Sequence, residues 1–90
     1  MMDIIDFIPY GHDNAVTRSE LISMTGESDR AIRDAISNSK ELIINLQDGA
    51  GYFRPLPEEA PHVEHWVRIM KARIREEYKR IAQARRWANP

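Results

Sequence analysis

The stretch LIINLQDGAGYFRP, residues 42–55, limits what this chain can fold into more than any other. Two β-prone runs flank a connector, Gln47 to Gly51, with glycines at 49 and 51. A phosphate-binding glycine loop follows a strand and opens a helix, whose N-terminus holds the phosphate. Here the glycines lead into Tyr52, Phe53 and then Pro55, and the loop holds no lysine. Asp48-Gly49 between alternating apolar flanks is instead a hairpin signal. The spacing predicts a strand over 42–46, a turn over 47–51 and a return strand over 52–54. Tyr52 and Phe53 point to opposite faces, one into the core and the other half-exposed.

Upstream of the hairpin, the pattern is helical. DIIDFI, residues 3–8, predicts a short helix stopped by Pro9. A polar connector with Gly11 follows, and Ala15-Val16 suits a very short strand. Thr17-Arg18-Ser19-Glu20 is a capping box, and the helix it opens ends at Gly26, in a left-handed C′ position. Ser28 is the next N-cap. It precedes a helix of about eleven residues, in which Ala31, Ile32, Ala35 and Ile36 form one apolar stripe at helical period. The tight turn T-G-E-S at 25–28 gives these two helices helix-turn-helix spacing. Helix, helix, turn, helix, hairpin is the element order of a winged helix, with the hairpin as its wing.

The stretches I-P-x-G-x-x-N-A-V (Ile8 to Val16), L-x-x-x-T-G-x-S-D-R-x-I-R (Leu21 to Arg33) and G-x-G-Y (Gly49 to Tyr52) carry a family resemblance. The chain resembles small winged helix-turn-helix proteins of bacterial phages and prophages. Its G-x-G-Y is also similar to the wing of the biotin repressor DNA-binding domain. The resemblance covers about residues 4–56 and implies a winged helix acting on double-stranded DNA, in transcription regulation. The expected fold class is α+β, mainly helical: a winged helix-turn-helix over 1–56, a proline-rich linker over 57–62 and one long helix over 63–88.

In a helix-turn-helix, the N-terminal part of the second helix meets base edges in the major groove, where arginine most often reads guanine. Arg30, Arg33, Ser37 and Lys40 lie opposite the apolar stripe or towards its flanks, and are the candidate groove residues. Asp29 precedes Arg33 by four and Arg30 precedes Asp34 by four, so ordinary surface ion pairs suit the same side chains. Ser28, as a cap, leaves backbone N–H groups near a phosphate position. Arg18 and Arg54 are candidate phosphate contacts, whereas Asp48 would repel phosphate at the wing tip.

The long helix holds no glycine or proline from Val63 to Trp87. Val63, Val67, Met70, Ile74, Ile81, Ala84 and Ala88 form a heptad seam, with Glu77 in one place and Trp66 and Tyr78 on its flanks. Arg68, Lys71, Arg75, Lys79 and Arg86 lie on the opposite side. Four uses of the seam stay open: packing on the chain's own core, pairing with a second copy, docking another protein, or lying on a membrane surface. A homodimer through this helix, or a partner interface, rests on Val63, Trp66, Val67, Met70, Ile74, Tyr78 and Ile81.

Charge divides the chain. Its formal net charge is −1, yet residues 1–62 hold five Lys/Arg against eleven Asp/Glu, and residues 63–90 hold eight against three. DNA-binding domains are usually basic. The acidic first part therefore motivates an alternative: a protein-interaction module that does not use DNA and docks a partner through the long helix. No cysteine is present, which suits a reducing, cytoplasmic setting without disulfides. MMDIIDFIPY, with two aspartates and no basic residue, does not read as a signal peptide. No apolar run reaches the roughly 20 residues of a membrane span. His62 and His65 have metal-ligand spacing but no evident third ligand. No nucleophile motif or paired carboxylate stands out, and a 90-residue chain can hardly bury a substrate pocket. The expectation is therefore no catalysis, no cofactor or metal, no small-molecule substrate and no membrane.

Overall fold

The computed structural model describes residues 3–89. The first two residues of the expected 1–56 unit lie outside the described residues. Among the described residues the chain is mainly helical α+β, with three α-helices and a two-stranded antiparallel sheet. Helix α1 spans Arg18–Thr25, α2 spans Asp29–Ser37 and α3 spans Ala60–Ala88. Strand β1 is Ile44–Asn45 and β2 is Tyr52–Phe53.

The capping signals act as the sequence implies. Thr17 Oγ1 accepts from the Glu20 N–H at 3.1 Å, and Glu20 Oε1 accepts from the Thr17 N–H at 3.0 Å. Ser28 Oγ accepts from the Ala31 N–H at 3.1 Å, and Gly26 closes α1 at φ 71°. Each of the two N-caps, Thr17 and Ser28, is worth about 1 kcal/mol.

Three expectations change. The short helix expected over residues 3–8 is a single 3-10 turn over Ile4–Phe7. Pro9 disfavours helical backbone at Ile8, which is extended at φ −94°, ψ 114°. Helix α2 stops at Ser37, short of the expected eleven residues. The run Ser37-Asn38-Ser39 offers side-chain competition for the backbone and favours an ending. The segment 57–62 is not a linker. Pro57–Glu59 form a 3-10 turn and α3 begins at Ala60, with Pro61 in its first turn, where a missing N–H costs nothing. Glu59 anchors this start: its carboxylate accepts from the backbone N–H of Leu56 at 2.8 Å and of His12 at 2.9 Å.

The ribbon pairs Ile44 with Phe53 and Asn45 with Tyr52. The chain before α1 flanks the other edge of β2. Val16 exchanges two bonds with Tyr52, at 2.7 and 3.0 Å, and Arg54 bridges to the Pro9–Gly11 backbone. Two buried clusters follow. Ile8, Leu21, Ile32 and Ile43 join the 3-10 turn to α1 and α2. Ile44, Leu46 and Phe53 join the ribbon to Val63 and Trp66 of α3. Phe53 is fully buried and Tyr52 half-buried. Each fully buried side chain of this size contributes roughly 1.5–3 kcal/mol.

Beyond Met70, α3 leaves the body, and residues 71–89 are exposed. The radius of gyration is 16.3 Å, where a compact chain of this length gives about 12 Å. The helix therefore projects. The face it lays on the body carries His62, Trp66 and Ile69, all partly buried. That face is rotated from the heptad seam, on which Val67, Ile74 and Ile81 are exposed.

Candidate nucleic-acid interface

Helix α1, helix α2, the ribbon and α3 meet around one polar cleft of about 540 Å3. Its lining is Thr17, Arg18, Arg33, Asn45, Gln47, Gly49, Gly51, Tyr52 and Arg73. Local sequence positions each group. The Thr17 cap sets Arg18 on the first turn of α1. Ser28 sets Asp29 on the first turn of α2, and Arg33 follows Asp29 by one helical turn. Asp29 then gathers both arginines: Arg18 Nε lies 2.6 Å and Arg33 Nε 3.2 Å from its two carboxylate oxygens. A guanidinium has five N–H donors, so a shared carboxylate leaves most of them for other acceptors. With Arg73, the cluster carries three positive charges against one negative.

The other expected contacts distribute unevenly. Arg30 stands in solvent with its side chain 89% exposed, 4.0 Å from Asp34, and Arg33 is 61% exposed. Pairs this open are worth about 0–1 kcal/mol and yield easily to a new acceptor. Ser28 caps α2, and Ser37 is exposed at its far end. Lys40 lies past the end of α2, exposed beside Asn38 and Glu41, because the helix stops early.

Arg54 is a correction. Its side chain is only 14% exposed. Nε donates to the Ile8 carbonyl at 2.8 Å, Nη1 donates to Glu41 Oε2 at 2.7 Å, and the guanidinium lies 4.1 Å over the Tyr10 ring. Arg54 holds the return strand to the N-terminal segment and is not placed for phosphate. Its hydrogen bond, with one from the Tyr10 hydroxyl at 2.9 Å, keeps the Glu41 carboxyl below its usual range.

Asp48 at the turn is also occupied. Oδ1 accepts from the Ala50 N–H at 3.0 Å and Oδ2 lies 2.7 Å from His12 Nε2. The Ala50 N–H first, and His12 second, hold its carboxyl below the ordinary value. His12 further stacks against His62, ring centroids 4.8 Å apart, and meets Phe53 edge-on at 5.2 Å. These rings close α3 onto the ribbon. His65 is exposed, and among the described residues no group of three or more His, Cys, Asp or Glu is placed to hold a metal ion.

Along α3, Val63 and Trp66 pack against the second buried cluster, and Met70 is half-buried. Val67, Ile74, Tyr78 and Ile81 are exposed. The expected interface thus divides: its first part is internal packing and its later part is free. Among the described residues, no helix is long and apolar enough to cross a membrane.

Sequence reasoning missed Arg73, Asn45 and Gln47 as neighbours of Arg18 and Arg33. The signal for Arg73 was its spacing, seven residues and two turns beyond Trp66 on the same flank. Comparison of the chain with protein-family models, with curated proteins and with solved structures finds no match.

Proposed function

We propose that this chain is a winged helix-turn-helix protein that binds double-stranded DNA in a sequence-specific manner, as a small regulator of transcription of phage or prophage type. Helix α2 is its recognition helix and the β1–β2 ribbon its wing. The observation that carries this reading is the outward set of Arg18, Arg30 and Arg33 on the helix pair, with the ribbon beside it. Arg30 meets base edges, Arg33 stands at the groove edge beside the phosphate that Arg18 meets, and Ser28 caps the helix that ends at Ser37. No catalytic step, metal, cofactor or small-molecule substrate enters this reading, and its setting is the cytoplasm.

The protein acts as a homodimer through α3. The body covers one flank of this helix and leaves Val67, Ile74, Tyr78 and Ile81 exposed. An isolated helical extension is marginal in water without a packed apolar face, and a heptad seam is complementary to itself. Two copies then address half-sites about one helical turn apart.

The test is binding of a random 20-base-pair duplex across a salt series, with Arg30→Gln/Arg33→Gln beside the natural chain. On a random duplex Arg18, Arg30 and Arg33 all act as non-specific phosphate contacts, which implies a log–log slope of about −3 per chain, and about twice that for a dimer. Loss of both arginines should flatten it by about 2 per chain. A natural chain without affinity even at low salt removes the DNA reading. It leaves the interaction module, which the exposed seam of α3 and the acidic surface of residues 1–62 then support.

A further inference from the structure

We propose that the cleft walled by α1, α2, the ribbon and α3 is a seat for a nucleic-acid phosphodiester, and that Arg73 is its third cation. This rests on the DNA-binding reading and extends it from two helices to the long helix. Arg18 and Arg33 converge on Asp29 at 2.6 and 3.2 Å, and Arg73 reaches the same cleft from α3. Three guanidinium groups exceed what one carboxylate neutralises, so the cleft keeps an excess of about two positive charges. Two of these cations, Arg18 and Arg33, belong to the otherwise acidic residues 1–62, and the third, Arg73, to the basic residues 63–90.

The ribbon supplies neutral donors to match. Asn45 Oδ1 accepts from the Gln47 N–H at 2.8 Å, which leaves the Asn45 NH2 group as a donor. Gln47 has φ 60°, and among the described residues it is the one non-glycine with positive φ. This left-handed backbone places a second carboxamide at the cleft. Gly49 and Gly51 present backbone without side chains there.

The ligand class follows from the lining. Sites for small molecules are mostly apolar and enclose their ligand. This cleft is open and is lined by cations, amides and backbone, with Tyr52 as its one large ring. It suits an anion on a continuous strand, contacted from one side. Guanidinium groups match phosphate oxygens in geometry as well as charge. Arg73 thereby takes the ribbon-side role that Arg54, bound to Glu41 and Ile8, cannot perform.

The test compares Arg73→Gln, Arg73→Lys and Arg75→Gln for binding to the random duplex over a salt series. Arg75 is two residues away, on the opposite flank of α3, so its variant removes the same charge without touching the cleft. Each phosphate contact contributes about 0.9 to the slope. Arg73→Gln should reduce the slope by about 0.9 per chain, Arg73→Lys should restore it, and Arg75→Gln should leave it unchanged. Full slope in Arg73→Gln, or an equal loss in both glutamine variants, overturns the cleft proposal and leaves duplex binding standing. A natural chain that binds no duplex overturns both.

Discussion

Gly51 is where the ribbon meets the start of α1, and an added methyl group there should unmake the junction. Its backbone has φ 106°, and a Cβ built on it would overlap the Val16 carbonyl and lie 2.7 Å from Thr17 N. Both neighbours are backbone atoms held by the Val16–Tyr52 bonds of 2.7 and 3.0 Å, so neither can swing aside. An alanine in this conformation costs about 1–3 kcal/mol. Loss of the two bonds adds about 0.5–1.5 kcal/mol each. Gly51→Ala should therefore cost roughly 2–6 kcal/mol, against a whole-domain stability of about 5–13 kcal/mol for this length. Gly49→Ala is the control: it has φ 88° but open space around its Cβ, so only the conformational cost of about 1–3 kcal/mol applies. Urea unfolding followed by circular dichroism measures the difference. With a slope near 1 kcal/mol per M, Gly51→Ala should lower the midpoint by about 2 M or more, well beyond Gly49→Ala. Equal shifts for the two variants would refute the close approach of the ribbon to Val16–Thr17.

Arg54→Ala should destabilise the fold by about 1–3 kcal/mol while leaving the salt slope of duplex binding unchanged in the folded protein. A flattened slope with normal stability would restore Arg54 to the phosphate contacts. Ile74→Glu combined with Ile81→Glu should convert a dimer to a monomer in light scattering without changing the thermal midpoint of the body. A natural chain that is already monomeric contradicts the α3 seam. Acid should also weaken the fold. Backbone N–H groups hold Asp48, Glu59 and Glu20 below their ordinary range, and Arg54 does the same for Glu41. A carboxylate with a depressed folded-state pKa adds stability above its unfolded value of about 4, which is lost as pH falls through the folded value. Thermal midpoints should stay level from pH 7 to about 5 and fall below about 4. A level midpoint down to pH 3 would contradict those contacts.

Signals confined to three or four residues were legible in the sequence. The Thr17–Glu20 box, the Ser28 cap, the left-handed Gly26 and the Ile32 stripe depend on neighbours within a helical turn, and each is found where its spacing places it. The Asp48-Gly49 turn likewise gave an antiparallel ribbon, though one of two residues a strand. What the sequence hid depends on distant partners. Arg54 looks like an exposed wing cation until Glu41, 13 residues before it, and the Ile8 carbonyl, 46 residues before it, are brought to it. Arg73 looks like one of several cations on a basic helix until Trp66 fixes which flank faces the ribbon. Lys40 falls past the end of α2, because an apolar stripe fixes a helix face more sharply than its end. Pro57 and Pro61 looked like a linker because proline marks both a break and a helix start.

The central claim is that Arg18, Arg30, Arg33 and Arg73 form one surface for nucleic acid. Amide and arginine side-chain resonances of the uniformly 15N-labelled chain, followed by NMR during titration with a short duplex at low salt, test it most directly. The expected result is perturbation concentrated at Thr17–Arg18, Asp29–Arg33, Asn45–Gln47, Tyr52 and Arg73, with Arg54 and Arg86 unmoved. Shifts confined to the far end of α3, or none at a duplex excess, would contradict it.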